Sequence, residues 1–246
     1  MIEGPRTVVI SGAMGDIGRA IAKMCASHGV QVCLLYHKTS QKSVDTFIKT
    51  LHGSGHRAYL CDITNEREVK DVIRHIALEM GRIDICIHAA VSPLVRKHVS
   101  EITTQEFRDQ LEVTLFGGLY LLQSVIPHMK NSAQGTIIGL TSVAIEPESS
   151  ASPMAGYLAA KSALRTLLRE LAKEVSHAGI TVNAVAPAFV PTTLHRDLPE
   201  PVFKFLSERV ARHTPDDVAN VVWSLCAPDF NKTGLSFSLE GNAMPL

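Results

Sequence analysis

Short runs of residues that are apolar on both faces, each followed by a longer helical pattern, recur along this chain. They lie at residues 6–11 (Thr7-Val8-Val9-Ile10), 31–36 (Val32-Cys33-Leu34-Leu35), 57–61, 83–88, 136–140 and 180–185, with a weaker one at 235–239. A strand with one wet face alternates apolar and polar residues. A run without a polar face must be covered on both sides, as in a parallel sheet sandwiched by helices. The helical patterns at residues 16–28, 40–52, 65–80, 104–130 and 155–177 supply that cover. Phe107, Leu111, Leu115, Leu119 and Leu122 share one broad face of the fourth. Leu164, Leu167, Leu168, Leu171 and Val175 repeat at helical spacing in the fifth. The alternation predicts an α/β fold with a doubly wound sheet of about seven mostly parallel strands and helices on both faces.

The 246 residues suit a single domain, 1–246, with a core large enough to need no disulfide or metal. No linker, internal repeat or low-complexity tract interrupts them. Basic and acidic residues balance at 24 each and only 5% are aromatic, so neither a phosphate backbone nor an anionic membrane is an expected partner. No stretch reaches the roughly 18 apolar residues of a spanning helix, and residues 1–10 lack the apolar core and cleavage site of a secretory signal. The cysteines at 25, 33, 61, 86 and 226 are odd in number and form no Cys-x-x-Cys pair. Buried small hydrophobes are expected, ahead of disulfide partners or metal ligands, in a reducing, cytoplasmic setting. Residues 146–156 and the proline-rich 187–201 read as loops, the second as a flexible lid.

The first apolar run leads into Ser11-Gly12-Ala13-Met14-Gly15-Asp16-Ile17-Gly18 and then a helix. Glycines there permit a tight turn and close approach of a diphosphate to the backbone. The helix N-terminus presents free N–H groups and partial positive charge. In this position the cluster indicates a Rossmann-type dinucleotide site rather than an ordinary strand–helix turn. An acidic residue about 20 positions beyond the glycines hydrogen-bonds a free ribose 2′-hydroxyl in such sites. Here the segment is Tyr36-His37-Lys38-Thr39-Ser40. Lys38, with His37, suits a 2′-phosphate, so NADP(H) is preferred over NAD(H).

Tyr157 and Lys161 stand at i and i+4 at the start of the fifth helical pattern, on one helical face. A nearby ammonium favours a phenolate, and a tyrosine so tuned exchanges a proton with a reacting oxygen near neutral pH. Ser142, just past the fifth apolar run, is placed to hydrogen-bond the same oxygen. Tyr-x-x-x-Lys alone is common and a bland surface pair accounts for most instances.

The glycine turn, Asp62, Ser142, Tyr157-x-x-x-Lys161 and Val182-Asn183-Ala184-Val185-Ala186-Pro187 occur in order and at suitable spacing. Together they resemble the short-chain dehydrogenase/reductase family over essentially the whole chain, including a closing strand around residues 232–241. Leu198-Pro199-Glu200 and Thr214-Pro215-Asp216-Asp217-Val218-Ala219 look most like 3-oxoacyl-[acyl carrier protein] reductases. The resemblance implies that Tyr157 donates a proton to the carbonyl oxygen. Lys161 holds the nicotinamide ribose and depresses the tyrosine pKa, and Ser142 polarises the carbonyl. It places Gly12, Met14, Asp16, Ile17 and Gly18 around the diphosphate and nearby ribose, Tyr36, His37 and Lys38 by the adenosine ribose, and Asp62 and Ile63 by the adenine. It places Ala89 and Ala90 along the cofactor, and Pro187, Val190 and Thr192 at the carboxamide. The cofactor supplies the hydride while the protein orients it.

Four departures stand out. Asp16 occupies the family's middle glycine, with Gly15 one place early. His88-Ala89-Ala90-Val91 replaces Asn-Asn-Ala-Gly, and His88 reads as a core or strand-end histidine. Thr114 stands for the proton-relay asparagine, with a shorter reach and fewer hydrogen bonds. Pro187-Ala188 replaces Pro-Gly. Two functions are consistent with these residues: an NADPH-dependent reductase of a 3-oxoacyl thioester or similar ketone, or a cofactor-binding accessory subunit with weak or no turnover. Sugar, polyol or steroid dehydrogenation is a variant of the first. His195, Arg196, Phe203 and Phe205 populate the substrate loop. Arg96, Lys97 and Lys130 are the basic candidates for meeting an acyl carrier protein. Wide apolar faces on the fourth and fifth helical patterns, with Gly117-Gly118 allowing close approach, point to oligomerisation unless they are buried within the monomer; the resemblance implies a homotetramer built on these two helices, or a homodimer.

Overall fold

The computed structural model describes residues 4–146, 153–209 and 213–246. Eight strands form one sheet: β1 (Thr7–Ser11), β2 (Gln31–Tyr36), β3 (Arg57–Leu60), β4 (Ile85–His88), β5 (Gly135–Leu140), β6 (Ile180–Ala186), β7 (Leu235–Ser238) and β8 (Ala243–Pro245). Their order is β3-β2-β1-β4-β5-β6-β7-β8, all parallel except β8, which runs antiparallel to β7. Direction of winding reverses between β1 and β4. The carboxyl ends of the two strands diverge there into the crevice where open α/β sheets bind ligands.

Alternate residues of each strand enter different cores. Val8, Ile10, Val32, Leu34, Ile85, Ile87, Ile138 and Leu140 pack with α1 (Asp16–Ser27), α2 (Gln41–Ile48) and α8 (Pro215–Leu225). Val9, Cys33, Cys86, Ile137, Val182 and Ala184 pack with α3 (Glu66–Met80), α5 (Gly117–Ser132) and α6 (Ala155–Val175). Period-2 side-chain alternation therefore fills both layers from one apolar run. All five cysteines are buried free thiols within these cores. Burial pushes Cys25, Cys33, Cys61 and Cys86 up to about 12, so they stay protonated and inert.

The expected boundaries shift where local chemistry intervenes. Residues 104–130 are not one uniform helix: α4 (Thr104–Leu111) leads through a π-turn at Glu112–Phe116 into α5. The helix expected over 155–177 ends at Val175 and tightens into a 3-10 turn at Ser176–Ala178. The proline-rich segment is not wholly loop, since it holds a 3-10 turn at Thr193–His195 and starts α7 (Glu200–Arg209). Most of the loop expected at 146–156 lies outside the described residues. A Cβ on Gly117 would meet Ile63 at 2.9 Å, and one on Gly118 would meet His88 at 3.1 Å. The close approach at these glycines is therefore within the chain, not toward a second copy.

Two glycines fix the first turn. Gly12 adopts φ +67°, and a Cβ there would lie 2.7 Å from the backbone of Ala89 and Ala90. A Cβ on Gly18 would lie 2.3 Å from the Gly12 carbonyl oxygen. At Gly15 the nearest atom would be 3.4 Å away. Gly18→Ala should therefore cost at least about 2 kcal/mol of stability, whereas Gly15→Ala should stay within about 0.5 kcal/mol of the parent by urea denaturation. Equal effects would contradict this account of the turn.

Candidate active site at the switch point

The crevice begins at the N-terminus of α1. Its N-cap, Gly15, brings no side chain to the free N–H groups. Ser40, Asn65, Thr103 and Thr214 do cap α2, α3, α4 and α8 with side-chain oxygens. A helix end left uncapped, beside a glycine cradle that a single Cβ would fill, fits an anionic diphosphate. The residues assigned to it are assembled here. Gly12, Met14, Asp16, Ile17 and Gly18 form the turn, and Ala89 and Ala90 lie directly against Gly12. Arg19 Nε steadies the turn by donating to the Met14 carbonyl at 3.0 Å. Asp16 has a second tie absent from the sequence reading. Its Oδ2 accepts from Thr193 N at 2.6 Å and Thr193 Oγ1 at 2.8 Å, linking the turn to the segment after β6.

The adenosine end lies past β2 and β3. The Tyr36 hydroxyl donates to Gln41. His37 Nε2 lies 3.7 Å from Asp62 Oδ2. Burial pushes the Asp62 carboxyl up, but hydrogen bonds from Thr64 and the charges of His37 and Lys38 hold it below the usual carboxylate range. A surface hollow of about 790 Å³ opens here between Asp62 and Tyr120. Ile63 is buried against α5, its side chain turned to Gly117.

The reactive end is built from β5, β6 and α6. Ser142 follows β5, and its hydroxyl donates to the Pro187 carbonyl at 3.4 Å while accepting from Ala144 N. Tyr157 and Lys161 occupy the first turns of α6, with Lys161 Nζ 5.8 Å from the Tyr157 ring centroid. The Ser142 hydroxyl opposes the rise that burial gives the Tyr157 pKa. Serine, phenol and ammonium thus lie at one junction of β5, β6 and α6. Val190 is buried on the α1 side of the sheet, and Thr192 precedes the 3-10 turn.

Two of three points differ from expectation, and the second, the place of His88 buried at the end of β4, agrees with it. First, the Lys161 ammonium is bonded to the backbone rather than turned to the Tyr157 hydroxyl. Its Nζ is buried and donates to the Leu140 carbonyl at 2.6 Å. Burial raises the Tyr157 pKa, and the opposing pull comes from Ser142 and the positive charge of Arg96. Burial also lowers Lys161 itself to about 8. Second, His88 bridges two walls. Nε2 lies 3.0 Å from the Thr114 carbonyl in the π-turn, and Nδ1 lies 2.8 Å from Ser11 Oγ. A carbonyl only accepts, so Nε2 carries the proton and Nδ1 accepts from the serine. Burial and the Lys161 charge press His88 down to about 4, which keeps it neutral. Third, the cations proposed for docking a carrier protein are engaged within the chain. Lys97 pairs with Glu106 at 2.6 Å, Lys130 with Glu174 at 3.6 Å and Arg96 with Asp197 at 2.8 Å. No local spacing signals the Arg96 pair, because Asp197 lies 101 positions away.

These features agree with the relatives of the chain. A family model described as enoyl-(acyl carrier protein) reductase matches residues 12–234. The 3-oxoacyl-[acyl-carrier-protein] reductase FabG of Staphylococcus epidermidis is 27% identical over 245 residues, covering 96% of this chain and 98% of its own. The 7alpha-hydroxysteroid dehydrogenase of Escherichia coli is 26% identical over 232 residues, covering 91% and 88%. The crystal structure of a 3-ketoacyl-(acyl-carrier-protein) reductase from Brucella melitensis complexed with NADH superposes with a TM-score of 0.84 at 22% identity, over 95% of this chain and 96% of the other. The chain belongs to the short-chain dehydrogenase/reductase family.

Lys161 provides a stability test. Its folded pKa, about 8, lies below its ordinary 10.5. Between those values the unfolded chain holds a proton that the folded chain has released, so this group makes stability rise with pH across that window. Near neutral pH the buried charge is a net cost. Lys161→Met should raise the unfolding free energy by on the order of 1–2 kcal/mol, after allowing for the lost bond to Leu140. A loss of stability by chemical denaturation would show that the bond outweighs desolvation.

Proposed function

We propose that this short-chain dehydrogenase/reductase is an NADP(H)-dependent enzyme that reduces a ketone, with a 3-oxoacyl thioester as substrate, to a secondary alcohol. The convergence of Ser142, Tyr157 and Lys161 beside an uncapped helix end carries this reading. When bound, the reduced nicotinamide supplies the hydride that forms the new C–H bond at the carbonyl carbon. Tyr157 delivers the proton from its hydroxyl to the carbonyl oxygen. Ser142 donates a hydrogen bond to that oxygen, which favours charge developing there. Lys161, turned from the Leu140 carbonyl, would hold the ribose hydroxyls with an ammonium it retains at neutral pH. Gly12 and Gly18 keep side chains out of the diphosphate cradle.

Phe189, His195 and Phe203 cluster on the segment after β6, with Phe189 4.6 Å from His195 and 6.5 Å from Phe203 between ring centroids. This aromatic wall suits an acyl chain. Phe205 and Arg196, expected to share it, are exposed. Phe116 and Tyr120 leave apolar surface on the outer side of the π-turn and α5, in keeping with assembly into a homotetramer or homodimer. Among the described residues no helix is long and apolar enough to cross a membrane. Five buried thiols fit a cytoplasmic setting.

Tyr157→Phe should lower kcat for NADPH-dependent reduction of an acetoacetyl thioester by about 10²–10⁴-fold while leaving the NADPH Kd within about threefold. Loss of cofactor binding with turnover intact would contradict the assignment. NADPH binding without oxidation across a ketone panel would favour the accessory-subunit reading. Lys38 supports the cofactor preference. Lys38→Ala should weaken NADPH about tenfold and leave NADH unchanged by fluorescence titration. Equal losses for both cofactors would remove Lys38 from the 2′-phosphate.

A further inference from the structure

We propose that Arg96 is a positioning residue of this site: its guanidinium braces the segment after β6 against the first turn of α6 and sets a fixed positive charge next to Tyr157. This rests on Tyr157 as the proton donor, and it goes beyond the Ser142, Tyr157 and Lys161 set.

The geometry is that of a hub. Arg96 lies in the stretch between β4 and α4, with its side chain only 18% exposed. Its Nε donates to Asp197 Oδ2 at 2.8 Å, its Nη2 meets His195 Nδ1 at 2.9 Å, and its Nη1 meets Met154 Sδ at 3.3 Å. Asp197 and His195 belong to the segment after β6, and Met154 is the N-cap residue of α6, three positions before Tyr157. One planar fork therefore joins three segments separated by 58 to 101 residues. Only arginine presents several donors in so rigid a plane. His195 in turn stacks near Phe189. The brace thus holds the aromatic wall over the crevice as well.

The charge reaches the reacting group. Among the described residues, the charged or titratable side chains around Tyr157 are Arg96 and Lys161, with His195 and Asp197 beyond Arg96. Burial, then the Arg96 charge, lowers the His195 pKa, so His195 accepts at Nδ1 as a neutral ring. Lys161 is bonded to Leu140, and the Arg96 charge, after the Ser142 hydroxyl, opposes the rise in the Tyr157 pKa caused by burial. An arginine cannot lose that charge in the working range. The acidity of the donor is therefore tied to closure of the segment after β6.

The test compares the parent with Arg96→Gln, Arg96→Lys and Asp197→Asn. The reaction is reduction of S-acetoacetyl-N-acetylcysteamine by NADPH as a function of pH. Two alkaline losses are expected, that of the Lys161 ammonium near 8 and, above it, that of the phenol proton which reduction needs; the Tyr157 limb is the one that coincides with its ultraviolet titration. Arg96→Gln should move that limb upward by about 0.5–1 pH unit and raise KM at least about fivefold. Arg96→Lys should restore the limb but not KM, because an ammonium keeps the charge and loses the fork. Asp197→Asn should raise KM with the limb near its parental position. An unmoved limb in Arg96→Gln, or identical profiles in Arg96→Gln and Arg96→Lys, would overturn the proposal. A readout independent of turnover separates the two claims. The Tyr157 phenol is titrated by ultraviolet difference spectroscopy, each protein measured against its own Tyr157→Phe form. A higher midpoint in folded Arg96→Gln, with no turnover in the parent, upholds the Arg96 assignment and defeats the reductase reading. An unshifted midpoint defeats the Arg96 assignment alone.

Discussion

The ammonium group of Lys161 is held out of water by a 2.6 Å bond to the carbonyl of Leu140, and the site is organised around that arrangement. Desolvating a charge is costly, and one neutral carbonyl does not replace a full hydration shell. The cost is accepted where two elements meet: Leu140 ends β5 and Lys161 stands on the second turn of α6. The same junction places Ser142 two residues past Leu140 and Tyr157 one turn before Lys161. A stability-neutral design would put an apolar side chain at 161. A cation kept there beside a phenol and a serine is the kind of local conflict that active sites sustain against folding.

The crevice is also more tightly tied across its two halves than its separate motifs imply. Asp16, at the turn, holds Thr193 after β6. His88, at the end of β4, spans from Ser11 to the π-turn carbonyl of Thr114. Arg96 joins the segment after β6 to the start of α6. Each tie involves a departure from the family pattern or a residue outside its motifs. An imidazole that donates to the Thr114 carbonyl gives the π-turn a fixed partner, so Thr114 is anchored through its backbone. The asparagine it replaces was expected to act through its side chain. The turn before α1 and the start of α6 are thereby both tied to the segment after β6.

Much of the fold was legible because parallel strands buried on both faces leave unbroken apolar runs, and Val8-Val9-Ile10 feeds both cores at once. That Ser142, Tyr157 and Lys161 would lie near one another was legible from order and spacing. Other features had no local signal. β8 is three exposed residues, Ala243–Pro245, whose pairing with β7 depends on a turn at Gly241 with φ +83°. The π-turn at Glu112–Phe116 had no signal in the apolar spacing, for Phe107, Leu111, Leu115 and Leu119 are half-buried while Gln110, Thr114, Gly117 and Gly118 are buried. The direction of the Lys161 ammonium depends on which carbonyl β5 presents. The partners of Asp16 and Arg96 lie 177 and 101 residues away, and only the closed sheet brings them within reach.

A crystal structure of the chain with NADP⁺ bound tests the central claim most directly. The account predicts a diphosphate against the N–H groups of α1, the 2′-phosphate within reach of Lys38, the nicotinamide ring beside Tyr157, and Lys161 Nζ moved from Leu140 to the ribose hydroxyls. A dinucleotide bound elsewhere would contradict it. So would a nicotinamide barred from Tyr157 by Val91, or Lys161 still fixed on Leu140 with the ribose out of reach.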